Sequence, residues 1–402
     1  MASTWCKQRA EQLLAACLED RAVDDALLDD LSDEECSPEL FRTVIERLAD
    51  LFEPRLCLVY ARLFARIMAR ALPEFDAPQL FERYLRVRTP RVFRGAEPQR
   101  VYVLSRVTLG ADIAVTGVFL EAVRLRFPAA RVFLAGSSKS AELFQGIEHL
   151  AVDYPRGGSL AQRLGACHGL RAQLSGGGAL VIDPDSRLTQ LGLLPVCEEA
   201  DYWFFESRGY GGDGHENLGA LARRWCQEVL GVPVQSVSLA PPRVALEVPA
   251  NCAAVSLGVG DNAAKHLDGE FEAGLLRLLG GRFDAIAIDR GLGAEEGARV
   301  DRAMAASGIA PERFIVWNGS FAGFVSLLSR CRFYAGYDSA GQHAAAACGV
   351  PLATVFAGYA NQRMLERWTP AGPNVTVIPV GPERDAGSVL RQLEVCLENF
   401  DA

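Results

Sequence analysis

The chain has 402 residues, a formal net charge of −9 and a pI near 5.3; half of its residues are hydrophobic and 23% are charged. That balance allows large packed cores and excludes global disorder. The acidic excess argues against a general binder of nucleic acid or anionic lipid, and the length implies roughly two or three domains.

No stretch reaches the ~18 uncharged apolar residues of a membrane span. The charged start MASTWCKQRAEQLLAACLED lacks the apolar run of a signal peptide, so a cytoplasmic protein is expected. The eleven cysteines are scattered without a C-x-x-C pair and are expected to be buried, reduced thiols. Of 41 basic residues only Lys7, Lys139 and Lys265 are lysine.

Residues 1–85 carry apolar side chains at helical spacing (Leu13, Leu14, Cys17, Leu18; then Leu40, Val44, Ile45, Leu48) and predict a helical N-terminal domain. Ser37 before Pro38 predicts a helix N-cap. Arg62, Arg66 and Arg70 form one stripe, expected to be a solvated or salt-bridged face, with docking of an acidic partner as the alternative. Residues 86–99, with two prolines and four arginines, predict a linker.

From Val101 the pattern changes to short β-branched runs alternating with helical stretches. Strands are expected at 101–104, 131–135, 179–183 and 201–205, forming a first half over 100–240. A fresh series over 250–402 has strands at 253–257, 285–288, 313–316, 332–335 and 352–356. Two consecutive doubly wound Rossmann-like α/β domains place a ligand cleft between the C-terminal ends of two parallel sheets.

Four loops carry candidate chemistry. Leu109-Gly110-Ala111-Asp112 follows the first strand, and Asp112 at a helix start is either a plain cap or a base facing the cleft. Gly258-Val259-Gly260-Asp261-Asn262-Ala263-Ala264-Lys265 opens the second half; Gly260 and its neighbours expose backbone N–H groups suited to phosphate, and Lys265 adds a point charge. Asp338-Ser339-Ala340-Gly341-Gln342-His343 leads into an alanine-rich helix whose start favours negative charge. Asp183-Pro184-Asp185 is a weak metal-binding triplet, better explained by turn chemistry. Glu295 and Glu296 are candidate ribose contacts, and Arg363, Arg367 and Trp368 candidate cleft residues.

The run Val101–Val132, the loop holding Lys265, and Asp338…His343 followed by Ala344–Ala347 and Gly349-Val350-Pro351 together resemble the ADP-heptose:lipopolysaccharide heptosyltransferases of glycosyltransferase family 9. Ala111 between Gly110 and Asp112, Ala340 before Gly341, and Leu267 after the lysine depart from that family's usual pattern, as does the helical N-terminus. The resemblance implies a glycosyltransferase B (GT-B) fold and metal-independent, inverting transfer of a heptose-like sugar from a nucleotide diphosphate such as ADP-heptose, with no cofactor. By position it makes Asp112 the base, has Lys265 contact the diphosphate, and lines the donor site with Asp338, Ser339, Gly341 and His343. The acceptor is open: glycan, lipid-linked or protein. A nucleotide-sugar epimerase on the same fold, and a non-catalytic nucleotide-sugar binder using the helical segment to hold a protein partner, are the alternatives.

Overall fold

The computed structural model describes residues 4–144, 146–174, 178–260 and 262–400; Asp261 and two glycines of the turn before Ala179, Gly176 and Gly177, lie outside the described residues. The N-terminal segment is helical: Thr4–Leu18, Asp25–Ser32, a run from Ser37 to Asp50 containing a π-helical stretch Leu40–Ile45, then Pro54–Ala71 and Ala77–Val87. Asp24 and Asp76 cap the second and last of these through their carboxylates. The arginine stripe is spent within the segment: Arg66 bonds Asp25 at 2.7 Å, Arg70 bonds Asp29 at 2.6 Å, and Arg62 lies over the Phe81 ring.

Two expectations for this segment are corrected. Cys6 and Cys36 form a disulfide, with Cα atoms 5.2 Å apart, while nine cysteines remain free; a spacing of thirty residues gives no sequence signal for pairing. Ser37 lies inside the first turn after Cys36, and its hydroxyl instead accepts the Leu160 N–H at 3.1 Å. It thus serves the start of a different helix, Leu160–Leu174.

Among the described residues, eleven strands form two parallel sheets. The first holds β1 (Arg100–Leu104), β2 (Arg131–Gly136), β3 (Glu148–Ala151), β4 (Ala179–Asp183) and β5 (Tyr202–Phe204) in the order β3-β2-β1-β4-β5. The second holds β6 (Cys252–Ser256), β7 (Ala285–Asp289), β8 (Phe314–Trp317), β9 (Phe333–Tyr337), β10 (Leu352–Phe356) and β11 (Val375–Pro379) in the order β11-β10-β9-β6-β7-β8. Both are doubly wound. β3 (Glu-His-Leu-Ala) is an exposed edge strand without an apolar run, whereas the Val-Thr-Val-Ile run of β11 carried a strand signal that the sequence reading passed over.

Alternation along β1 sets the layers. Val101 and Val103 point into a core that continues between the two halves, while Tyr102 and Leu104 point to the opposite face. There they join Ala135, Val181, Tyr202 and Phe204 under the N-terminal helices and helix Leu160–Leu174. The helical segment is therefore a layer of the first half, and stripping it away would expose apolar surface worth on the order of 10 kcal/mol. Polar contacts fix its seat: buried Arg83 donates to the Gly192 carbonyl at 2.8 Å, and Arg88 meets Glu206 at 2.7 Å.

Candidate active site

The order in which strands are added reverses between β1 and β4 in the first sheet and between β6 and β9 in the second. Loops leaving strand ends at such switch points form the natural crevice of an open α/β sheet. Here the two crevices face each other across one cleft of about 2230 Å³, lined by both halves and by the N-terminal segment. The halves touch where Gly110 meets the start of helix Ala340–Ala347; a Cβ on Gly110 would stand 3.3 Å from the Ala340 Cα and 3.4 Å from the His343 ring.

On the second half, the β6 and β9 loops are joined by an ion pair. Lys265 Nζ donates to Asp338 Oδ2 at 2.6 Å and to the Asp338 carbonyl at 3.0 Å. The other Asp338 oxygen accepts from Gln342 Nε2 at 2.6 Å, and Gln342 Oε1 accepts from Thr354 at 2.7 Å. These contacts orient the Gln342 amide, whose nitrogen also lies 3.3 Å from His343 Nε2. Burial pushes the His343 pKa down to about 4, so its ring is neutral near pH 7 and contributes a wall rather than a charge. Gly341 is required by close approach, since a Cβ there would collide with the Tyr334 hydroxyl lying beneath the loop.

The remaining donor-side candidates divide. Gly260 lines the cleft with φ +62°, a conformation glycine adopts without strain. Ser339 also lines the cleft. Glu296 reaches the cleft floor, its carboxylate packed against Gly258 and Gly291, and burial raises its pKa. Glu295 is exposed and outside the cleft lining. Asp289, at the end of β7, has its pKa raised by burial to about 6 and shares that floor.

On the first half, the expectation that Asp112 faces the cleft is not met. Residues 106–111 line the cleft, but the Asp112 carboxylate is wholly buried behind them. It accepts four hydrogen bonds: from Ser105 Oγ at 2.7 Å, the Arg106 N–H at 2.7 Å, Thr116 Oγ1 at 2.7 Å and Ser140 Oγ at 2.6 Å. Burial raises its pKa against the pull of those donors. The backbone sets the placement: Asp112–Thr116 is a π-helical turn in which the Gly117 N–H reaches back five residues to the Asp112 carbonyl. The carboxylate holds a tense loop, in which Val107 has φ +64°, unusual for a β-branched residue.

Asp183 and Asp185 are also consumed locally. Asp183 accepts from Ser186, Thr189 and Tyr202, and Asp185 from Ser207 and Arg208. Arg106 ties this loop to the first by donating to the Pro184 carbonyl at 2.5 Å and Ser207 at 2.8 Å.

Of the cleft candidates on the third wall, Trp368 lines the cleft, whereas Arg363 and Arg367 lie outside the lining and bond backbone carbonyls instead. Helix Gln362–Trp368 of the second half is tied to the N-terminal segment: Asn361 Nδ2 donates to the Leu51 carbonyl at 3.2 Å, and Arg363 donates to the Phe52 carbonyl. Arg367 bonds the Glu216 carbonyl of the first half at 2.6 Å. The cation of Arg106 lies over Trp368, 6.0 Å from its ring centre. This junction carries Asp50, at the end of helix Glu46–Asp50, into the cleft lining.

Two facing doubly wound halves with the crevice between them define the GT-B fold. Among solved structures, the chain is similar to a glycosyl transferase family 9 protein from Veillonella parvula (TM-score 0.57, 14% identity, 76% of this chain and 98% of that one). It is similar to E. coli ADP-heptose lps heptosyltransferase II (0.53, 15%, 75% and 100%) and to E. coli heptosyltransferase WaaC with ADP (0.52, 15%, 75% and 99%). No protein-family model matches the sequence, and no curated protein matches it.

Proposed function

We propose that the protein is a glycosyltransferase that moves a heptose-like sugar from a nucleoside diphosphate donor to a hydroxyl acceptor, by a metal-independent, inverting displacement. The observation that carries this reading is the Lys265–Asp338 pair at the start of helix Ala340–Ala347, opposite the Ser105–Ala111 loop. Lys265, released from Asp338 toward an incoming diphosphate, and the adjoining helix start would together favour the negative charge that develops as the diphosphate departs. Gly260, Ser339 and Gly341 let the phosphates approach the backbone, neutral His343 borders the sugar, and Glu296 is placed for a ribose hydroxyl. The fold shared with the heptosyltransferases, one of them solved with ADP, supports ADP-heptose as the first donor to try.

The test is a thermal-shift panel of nucleoside diphosphates and nucleotide sugars, with and without EDTA. A ligand held only by the native state at about 100 times its Kd stabilises by ~2.7 kcal/mol. ADP and ADP-heptose are expected to raise the midpoint equally with and without chelator, and Lys265→Ala to lose most of that shift. No shift with any nucleotide refutes the donor site.

A further inference from the structure

We propose that Asp50, supplied by the N-terminal helical segment, is the carboxylate that takes the proton of the acceptor hydroxyl, a role that rests on the transferase reading above. The argument begins with the acceptor-side acids that are already engaged. Asp112 is buried under four donors. Glu39 bonds Arg42 and Thr43, Asp185 bonds Arg208, and Glu46 lies 3.8 Å from Arg163 and 4.0 Å from Arg187. Glu142 and Asp153 are exposed at the rim.

Asp50 differs from all of these. It is half-buried, lines the cleft, and has no hydrogen-bond or ion-pair partner among the described residues. A carboxylate with an open oxygen inside a cleft is what proton abstraction requires.

Its position is fixed rather than incidental. The residues that follow it, Leu51 and Phe52, are held through their carbonyls by Asn361 and Arg363 of the second half. The charges that act on Asp50 are Arg187, Glu46, Lys265 and Arg106, so it shares its surroundings with the lysine assigned to the diphosphate. Burial raises its pKa above the ordinary carboxylate value despite those three cations, which makes it a stronger base when ionised.

In the step, the acceptor oxygen forms a bond to the anomeric carbon as its proton passes to Asp50. The bond from that carbon to the diphosphate oxygen breaks, and the electron pair leaves with the nucleoside diphosphate facing Lys265. Water in place of the acceptor gives hydrolysis by the same route.

The experiment measures ADP release from ADP-heptose by wild type, Asp50→Asn, Asp50→Glu and Asp50→Ala, with ADP-induced thermal shift as the control for folding and donor binding. Asp50→Asn is expected to keep the ADP shift and the donor KM within about twofold while kcat falls by ~10²–10⁴. The acid-side fall of the wild-type pH profile should vanish with it, Asp50→Glu should regain part of the rate, and added formate should rescue Asp50→Ala. Wild-type turnover with an Asp50→Asn rate within threefold and an unchanged acid limb overturns the role of Asp50 alone. A wild type that neither releases ADP from ADP-heptose nor is stabilised by ADP removes the transferase reading and this proposal together.

Discussion

The rings of Phe52 and Trp368 meet edge to face with centroids 6.1 Å apart, joining the N-terminal helical segment to the last helix that lines the cleft. With Tyr102, Leu104 and Phe204 also roofed by that segment, its removal uncovers apolar surface worth about as much as the whole 5–15 kcal/mol stability of a typical domain. Deletion of residues 1–85 is therefore expected to give insoluble or uncooperatively melting protein. A soluble 86–402 fragment with a sharp thermal transition would contradict this.

Asp112→Asn places an NH₂ group among four donors inside the protein. The expected loss is about 1–3 kcal/mol for the disrupted buried network, read as a lower denaturant midpoint with an unchanged slope. Asp50→Asn, with no partner to lose, is expected to leave that midpoint within ~0.5 kcal/mol of wild type. The two aspartates are thereby separated by equilibrium unfolding alone.

Asp183 offers a pH test. Burial raises its folded pKa to about 6 from an ordinary value of 3.8. The native state then holds a proton that the unfolded chain has released between these values, so stability falls as pH rises from ~4 to ~6 and is flat above. The interval corresponds to about 3 kcal/mol. Asp183→Asn removes this slope, so the stability gap between it and wild type should narrow across that window. A gap constant with pH would show that the carboxyl titrates normally.

The Cys6–Cys36 bond closes a loop of thirty residues, for which chain entropy predicts about 3–4 kcal/mol of stabilisation. Thiol titration of denatured, unreduced protein should find nine free groups, against eleven after reduction. Cys6→Ser should lower the melting midpoint and make it insensitive to reductant. Eleven thiols without reduction would show that the bond does not form.

Gly341→Ala should abolish the ADP-induced thermal shift, because the new methyl group and the Tyr334 hydroxyl compete for one space. Overpacking of this kind costs about 1–3 kcal/mol. Adding Tyr334→Phe removes the nearest atom and should recover part of the shift. Equal ADP shifts in Gly341→Ala and wild type would mean that the loop has room to spare.

Central strands were legible because a buried parallel strand is a continuous apolar run, as in Leu352–Phe356 and Ala179–Asp183. Glycine-bearing loops at the ends of β1, β6 and β9 were legible for the same local reason. What escaped depends on distance in the chain. Asn361 and Leu51 are 310 residues apart, and nothing local to Asp50 distinguishes it from a solvated acid at the end of a helix. Asp112 escaped through register: its sequence position fits a helix start, but the side chain's direction depends on how the backbone absorbs Ala111. Gln342, hidden among the small residues of its helix, shows its orienting role only beside Thr354 and Asp338.

That π-helical turn also preserves the packing on either side of it. An added residue in a regular helix rotates everything beyond it by about 100°, which would tear helix Gly117–Arg126 from its sheet. Confining the surplus to Asp112–Thr116 leaves β1 and the later turns in register while changing which side chain meets the crevice. The Asp112 carboxylate is thereby turned into the protein while the helix after it keeps its packing on the sheet.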